Sequence, residues 1–215
     1  MNLPNKLTII RIALVPIMVI IYYINELCGI NGSLLGIETT KWIILFIFVI
    51  ASITDYLDGK IARKNNLVTT FGKFADPLAD KILVITLMIL LVDSKILPAW
   101  VPIIVCIREF IVSGYRLIAV EKDGKVIAAN IWGKLKTVTQ MIGLIFMCLS
   151  NYSYMSFIFR VETQEIAAHS TVYVYMPTGQ YIINIIGTIM ITISVIATIV
   201  SGWKYVKDGK DLFKK

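Results

Sequence analysis

The sequence predicts an all-α integral membrane protein with six transmembrane helices, folded as a single membrane domain over residues 1–215. Three observations support this fold class. The mean hydropathy is +0.78, only 16% of the 215 residues are charged, and long apolar runs recur between short polar stretches. A soluble domain of this length would carry more charge and fewer uninterrupted apolar runs.

Six apolar runs define the predicted spans, and polar or turn-forming residues separate them. The spans cover residues 7–24, 41–63, about 71–92, 100–120, 135–150 and 181–201. Residues 25–40, 93–99, 121–136 and 160–180 are predicted loops, and an extension of the fifth span to residue 159 stays open.

The third span has two possible starts because of Pro77. Pro77 is either the first helical residue after an Asp76 cap or an interior residue of a longer helix that begins near Phe71. A capping carboxylate is partly occupied by backbone amides. A metal-binding role for Asp76 therefore favours the longer helix.

The distribution of Lys and Arg predicts that both termini lie in the cytoplasm. These residues cluster between spans two and three, between spans four and five, and in the C-terminal tail. Cytoplasmic segments of membrane proteins carry such an excess. We therefore assign the net charge of +7 to contacts with anionic lipid or phosphate substrates and expect no nucleic-acid partner.

Four aspartates lie at fixed offsets between the second and third apolar runs. Asp55 and Asp58 are three residues apart, and Asp76 and Asp80 are four apart, so each pair shares one face of a helix. Clustered carboxylates repel one another, and ionisable groups within a membrane mark functional sites. One or two divalent ions would relieve the repulsion, and oxygen ligands suit Mg²⁺ or Mn²⁺ better than zinc.

This stretch resembles the signature of the CDP-alcohol phosphatidyltransferase family, D-x2-D-G-x2-A-R-x8-G-x3-D-x3-D. The sequence matches it at Asp55, Asp58, Gly59, Ala62, Arg63, Gly72, Asp76 and Asp80. The resemblance implies a six-helix, usually dimeric enzyme that uses CDP-diacylglycerol or a CDP-linked alcohol and displaces CMP at phosphorus. It also implies Mg²⁺ or Mn²⁺ as the cofactor, with two ions expected.

The resemblance assigns roles to the motif residues. It implies that Asp55, Asp58, Asp76 and Asp80 are metal ligands and that Asp80 also serves as the catalytic base. It places Asp58, Gly59, Ala62, Arg63 and Gly72 in the CDP-diacylglycerol site.

Polar residues on the first helix leave two interpretations open. Asn5, Thr8 and Arg11 recur every three residues on an otherwise apolar segment. They mark either an interfacial N-terminus, from which Arg11 reaches the headgroups, or a stripe that faces the active cavity.

The fourth span carries an arginine roughly 12 Å from its start at the helical rise. Arg108 would cost at least about 2.5 kcal/mol in lipid, so we expect it to face a cavity and bind an anion. A salt bridge to Glu109 is the structural alternative. Adjacent helical residues diverge by about 100°, which disfavours that pair.

The acceptor is predicted from a second resemblance. N-x2-T-x2-R at 5–11, Arg-Glu at 108–109, Arg116 and G-K-x-K-T at 133–137 look like bacterial family members whose acceptor is glycerol 3-phosphate. This implies that Thr8, Arg11, Arg108, Arg116, Lys134 and Lys136 bind the acceptor phosphate. Inositol phosphate would also need cations, and a cardiolipin-forming member with a lipid acceptor is another alternative within the family.

An ion-coupled transporter is the alternative from a different class, because intramembrane Asp and Arg also mark transporters. Such a protein should show inverted repeats, and the sequence has none. Its aspartate cluster also lies wholly in one half of the chain.

Overall fold

The computed structural model describes residues 3–29, 32–64, 70–123, 131–158, 161–167 and 170–208. Within these ranges it describes only the backbone of residues 3–5, 55–64, 70–74, 77, 116–123, 161–167, 170–174 and 208. Two compact units divide the chain, residues 1–94 and residues 95–215. The predicted single domain over 1–215 stays a prediction.

Six long α-helices form within the described ranges, as the sequence predicted. They are α1 (Leu3–Cys28), α2 (Thr39–Lys64), α3 (Thr70–Asp93), α4 (Trp100–Asp123), α5 (Ile131–Leu149) and α6 (Thr178–Asp208). The end of α1 follows a common rule: Gly29 has φ +59°, and its N–H donates to the Asn25 carbonyl at 3.0 Å. Glycine adopts this left-handed conformation without steric cost, so it terminates the helix.

Two antiparallel hairpins lie in connections that were predicted as loops. β1 (Ser33–Leu34) pairs with β2 (Ile37–Glu38) around a turn in which Leu35 and Gly36 both have positive φ. β3 (Val161–Ala167) pairs with β4 (Ser170–Tyr175), in a register that shifts between Glu165 and Ala167. A short 3₁₀ turn (Ser156–Ile158) precedes the second hairpin.

The predicted basic loop over 121–136 is too long. Helix α4 extends to Asp123 and α5 already begins at Ile131, so Lys134 and Lys136 are helical. Their apolar neighbours Ile131, Trp132 and Leu135 lie on exposed surface. Lys134 and Lys136 interrupt the apolar pattern of the sequence, but the helix α5 continues through them.

In the first unit, α1 packs against both α2 and α3, which also touch each other. The contacts bury Met18, Phe48, Leu83 and Leu87, each at most 1% exposed. Both halves of the aspartate motif therefore lie on helices that contact α1.

In the second unit, α6 packs along α5 and also contacts α4. The α5–α6 contact is close because two glycines face the partner helix. A Cβ at Gly143 would lie 2.9 Å from the Ile191 backbone nitrogen, and one at Gly187 would lie 3.2 Å from the Met147 backbone nitrogen. Glycine at both positions lets the two backbones approach.

A buried amide fixes the connection that follows α5. Asn184 on α6 is 0% exposed. Its Nδ2 donates to Ser150 Oγ at 3.1 Å, to the Tyr152 carbonyl at 3.2 Å and to the Ser153 carbonyl at 3.0 Å. Its Oδ1 accepts the Phe157 N–H at 3.1 Å. One side chain thus satisfies several polar groups of a turn that packs on an apolar helix.

The outward surface of α6 is apolar. Ile182, Ile189, Ile196 and Trp203 recur every seven residues and are 45–72% exposed, which is the pattern that lipid contact requires. Among the described residues, Lys6–Cys28 and Thr178–Lys207 are long and apolar enough to cross a membrane, while the apolar part of α2, Thr39–Thr54, is shorter. Membrane spanning by all six helices stays a prediction.

The close α5–α6 contact generates a stability prediction. Gly143→Ala should destabilise the protein by about 1–3 kcal/mol, the usual cost of overpacking, because the new methyl group meets backbone that cannot rotate away. This loss should appear although alanine is the better helix former by about 1 kcal/mol. Thermal unfolding in detergent micelles measures it.

The matched control is Gly114→Ala on α4, where an added Cβ meets nothing within 4 Å. This variant should unfold at the wild-type temperature or slightly above it. Equal unfolding temperatures for the two variants would contradict the close approach of α5 and α6.

Candidate active site

The polar stripe of α1 faces the two carboxylates of α3. Thr8 Oγ1 donates to Asp76 Oδ1 at 2.5 Å, and Arg11 Nη1 donates to Asp80 Oδ1 at 3.5 Å. Thr8 is 0% and Arg11 1% exposed. The interfacial interpretation of Arg11 is therefore wrong, because its side chain is buried and its guanidinium donates to Asp80.

The spacing of the two α1 residues along their helix is similar to the spacing of the two carboxylates along α3. Thr8 and Arg11 are about 4.5 Å apart along α1, and Asp76 and Asp80 about 6 Å apart along α3, at 1.5 Å per residue. Neighbouring turns of one helix thus reach neighbouring turns of the other. The side chain of Asn5, the third member of the stripe, lies outside the described residues.

Asp76 and Asp80 each contact a residue of α1, and the side chain of Asp80 remains accessible to solvent. Asp80 keeps a half-exposed side chain, at 50%, although Arg11 engages its Oδ1. Asp76 is partly buried. Hard carboxylate oxygens one helical turn apart, with an accessible member, are a donor set that suits Mg²⁺ or Mn²⁺.

The start of α3 decides between the two interpretations of Pro77. Because α3 begins at Thr70, Pro77 lies inside the helix and Asp76 is not its N-cap. The longer helix that the metal hypothesis favoured is confirmed. Asp76 and Asp80 consequently share one helix face.

The rest of the motif is described by its backbone alone. The helical backbone of α2 carries Asp55, Asp58, Gly59, Ala62 and Arg63, that of α3 carries Gly72, and that of α4 carries Arg116. Their side chains lie outside the described residues, so their predicted roles stay predictions. The side chains that the structure does describe form no group of three or more His, Cys, Asp or Glu that could hold a metal ion.

A second polar cluster lies in the other unit and joins α4, α5 and α6. Glu109 Oε1 accepts from Arg108 Nη1 at 2.8 Å and also from Lys136 Nζ. Arg108 Nη2 donates to Ser201 Oγ at 2.5 Å, and its Cζ lies 5.9 Å from the centre of the Tyr205 ring. Lys134, on the same turn of α5 as Lys136, is exposed.

The Arg108–Glu109 pair corrects the sequence analysis, which judged it a poor partnership. The angular argument applies to the Cα–Cβ directions, which do diverge. Both side chains are long enough for their charged ends to meet, and the Glu109 carboxylate that Arg108 contacts also accepts from Lys136 Nζ. The predicted anion site at Arg108 stays a prediction.

Sequence reasoning missed Ser201 and Tyr205 and discounted Glu109. A signal for Ser201 was present on α6. Ser194, Thr198 and Ser201 follow one another at four- and three-residue spacing in an apolar helix and are at most 1% exposed. A polar stripe of this kind indicates a helix face that meets other polar groups.

Comparisons with known proteins identify the class. Residues 1–202 match the CDP-alcohol phosphatidyltransferase family, and the chain belongs to this family, as its motif predicted. The family is membrane-embedded and uses a divalent metal ion. Membership decides against the transporter alternative.

Several similar proteins share one name within this family. A CDP-diacylglycerol–glycerol-3-phosphate 3-phosphatidyltransferase of Bacillus subtilis (strain 168) is 38% identical over 218 residues, which cover 99% of this chain and 97% of the relative. A protein of the same name from Rickettsia typhi is 35% identical over 214 residues, covering 99% of both chains. The Haemophilus influenzae protein of that name is 40% identical over 149 residues, 66% of this chain and 73% of its own.

The contact between α1 and α3 generates a prediction about metal affinity. Thr8→Val keeps the side-chain shape and removes the hydrogen bond to Asp76 Oδ1. If Asp76 binds the ion, loss of this orienting bond should weaken Mn²⁺ binding about tenfold or more. Electron paramagnetic resonance of free Mn²⁺ during a titration without substrate measures the change.

Thr192→Val is the control, since Thr192 shares a hydrogen bond of 2.7 Å with the Tyr154 hydroxyl in the other unit. Thr192→Val loses a comparable hydrogen bond, and Thr192 is far along the chain from the motif carboxylates. We therefore expect this variant to bind Mn²⁺ with wild-type affinity. Unchanged affinity in Thr8→Val would show that this bond does not orient a metal ligand.

Proposed function

We propose that this protein transfers the phosphatidyl group of CDP-diacylglycerol to sn-glycerol 3-phosphate. The products are phosphatidylglycerophosphate, a precursor of phosphatidylglycerol, and CMP. The observation that carries the proposal is similarity over the full length. The CDP-diacylglycerol–glycerol-3-phosphate 3-phosphatidyltransferases of Bacillus and Rickettsia are 35–38% identical to this chain over 97–99% of their own length. The carboxylate site and the separate basic cluster support the same reaction.

The carboxylates fit a divalent-ion site. Asp76 and Asp80 offer hard oxygen donors on one helix face, and Thr8 and Arg11 hold one oxygen of each. Asp55 and Asp58 would complete the set from α2. Mg²⁺ or Mn²⁺, two ions in our proposal, would neutralise charge on the diphosphate and on the departing CMP.

Asp80 is the proposed general base. The acceptor hydroxyl forms a bond to the phosphatidyl phosphorus, the bond from that phosphorus to the CMP oxygen breaks, and Asp80 takes the hydroxyl proton. Its half-exposed carboxylate can be reached by an acceptor, and Arg11 at 3.5 Å fixes its orientation. Gly59, Ala62, Arg63 and Gly72, with Asp58, are proposed to bind CDP-diacylglycerol.

The acceptor phosphate requires cations, and four candidates belong to the second unit. We propose that Arg108 and Lys136 contact this phosphate, together with Arg116 and Lys134. Thr8 and Arg11 were predicted to do so as well. Their contacts with Asp76 and Asp80 support a role in orienting those carboxylates, and direct contact with the acceptor stays a prediction.

The proposal includes the arrangement of the protein in the membrane. Six spans with both termini in the cytoplasm would place the Lys-rich and Arg-rich connections on the cytoplasmic side of the cell membrane. The active site would then face the compartment that supplies glycerol 3-phosphate. A homodimer is proposed from the family resemblance.

Release of CMP by the purified protein tests the reaction. CDP-diacylglycerol and Mg²⁺ are supplied with one acceptor at a time: glycerol 3-phosphate, inositol phosphate, serine or phosphatidylglycerol. We expect release with glycerol 3-phosphate alone and its loss on chelation of the metal. Release with a different acceptor instead would retain the family and overturn the proposed acceptor.

A single substitution tests the general base. Asp80→Asn keeps the size of the side chain but removes its basicity, so turnover should fall below detection. The variant should still insert and fold, with a lower unfolding temperature because buried Arg11 loses its charged partner. Glu38→Asn, at an exposed position of β2, is the control and should turn over normally. Near-normal turnover by well-folded Asp80→Asn would rule out the role of Asp80.

A further inference from the structure

We propose that Glu109 is a positioning residue that holds Arg108 and Lys136 in place for the phosphate of the acceptor. The inference rests on the proposed function, because it assigns those two cations to the acceptor phosphate. Glu109 is not part of the family signature that the sequence matches. The sequence analysis named it within the Arg-Glu pair at 108–109 and as a structural partner for Arg108, and gave it no role in binding the acceptor.

One oxygen atom of Glu109 serves both cations. Oε1 accepts from Arg108 Nη1 at 2.8 Å and from Lys136 Nζ, although the two cations come from different helices. A shared acceptor sets the distance between a guanidinium on α4 and an ammonium on α5. Without it, two largely buried cations, 12% and 7% exposed, would repel each other and turn apart.

The guanidinium of Arg108 is fixed on several sides. Ser201 Oγ accepts from its Nη2 at 2.5 Å, and the Tyr205 ring lies beside its Cζ. A Cβ at Gly133 would lie 3.3 Å from Nη2, and a Cβ at Gly202 would lie 3.3 Å from Cγ. These glycines leave the space that the side chain occupies, so its orientation is set before any ligand binds.

Two features of this arrangement suit an anionic ligand. Among the described side chains of the cluster, one carboxylate contacts two cations. Arg108 Nε is buried and has no hydrogen-bond partner among the described residues. A buried donor of this kind is costly unless a ligand or water satisfies it, and a phosphate oxygen would do so.

A purely structural ion pair is the competing explanation, because the cluster also ties α4, α5 and α6 together. Both explanations predict that loss of Glu109 lowers stability, so an unfolding temperature alone cannot separate them. They differ in kinetics: positioning affects the affinity for the acceptor and leaves the affinity for CDP-diacylglycerol unchanged.

Glu109→Gln in the full-length enzyme is the test, because glutamine keeps the shape and removes the charge. We expect KM for glycerol 3-phosphate to rise about tenfold, as for loss of a hydrogen bond to a charged group. KM for CDP-diacylglycerol and kcat should stay within about twofold. Glu38→Gln, the same change at an exposed glutamate, should leave all three constants unchanged.

A double variant shows whether Glu109 acts through its partner. In a Lys136→Met background the ammonium is already absent, so adding Glu109→Gln should raise KM for glycerol 3-phosphate by much less than in the wild type. Full additivity of the two changes would contradict positioning. So would an unchanged KM with a lower unfolding temperature, or a KM that falls because Glu109 competes with the phosphate.

The affinity for inorganic phosphate, measured by calorimetry, tests this site without enzyme turnover. We expect Glu109→Gln to bind phosphate about tenfold more weakly than the wild type. If no acceptor supports CMP release and phosphate binding still depends on Glu109, the proposed reaction fails, while the positioning of a phosphate site by Glu109 is retained. Equal phosphate affinity in the two proteins would overturn the inference whatever the reaction is.

Discussion

The contacts that join α1 to α3 are the constraint on which the first unit depends. Arg11 is almost completely buried, and a buried cation is costly unless a carboxylate pairs with it. Sliding α1 by one turn would separate Arg11 from Asp80 and Thr8 from Asp76 together. The polar contacts therefore favour one register of the two helices. The helical conformation of α3 at Asp76 is part of the same constraint, because an N-cap residue would turn its carboxylate to the backbone.

The two units satisfy buried charge in opposite ways. In the first, among the described contacts, one guanidinium and one hydroxyl donate to two carboxylates. In the second, among the described contacts, one carboxylate accepts from two cations. A reaction that needs both a divalent metal ion and a phosphate-bearing acceptor requires these two environments.

The sequence predicted the helices and the motif better than the contacts. Apolar runs locate the six helices to within one or two helical turns at each end, because a helix that is buried in lipid or in a helical core needs a long apolar run. The start of α5 was placed too late because Gly133, Lys134 and Lys136 read as a loop. The second hairpin was missed although β4 (Ser170–Tyr175) is rich in β-branched and aromatic residues. Glu109 was discounted because residue spacing reports Cα directions and cannot report where flexible side chains end.

The spacing of α5 and α6 links the packing of the second unit to its polar cluster. Gly143 and Gly187 let the helix backbones approach, and this closeness persists toward the cluster, where Ser194 Oγ on α6 reaches the Lys136 carbonyl on α5 at 3.3 Å. A hydroxyl is too short to bridge helices at ordinary separation. The side chain of Lys136 extends from α5 to Glu109, and that of Ser201 extends from α6 to Arg108. Both contacts therefore depend on the close spacing of α5 and α6. The small residues in the middle of the pair thus determine whether the charged groups at its end can meet.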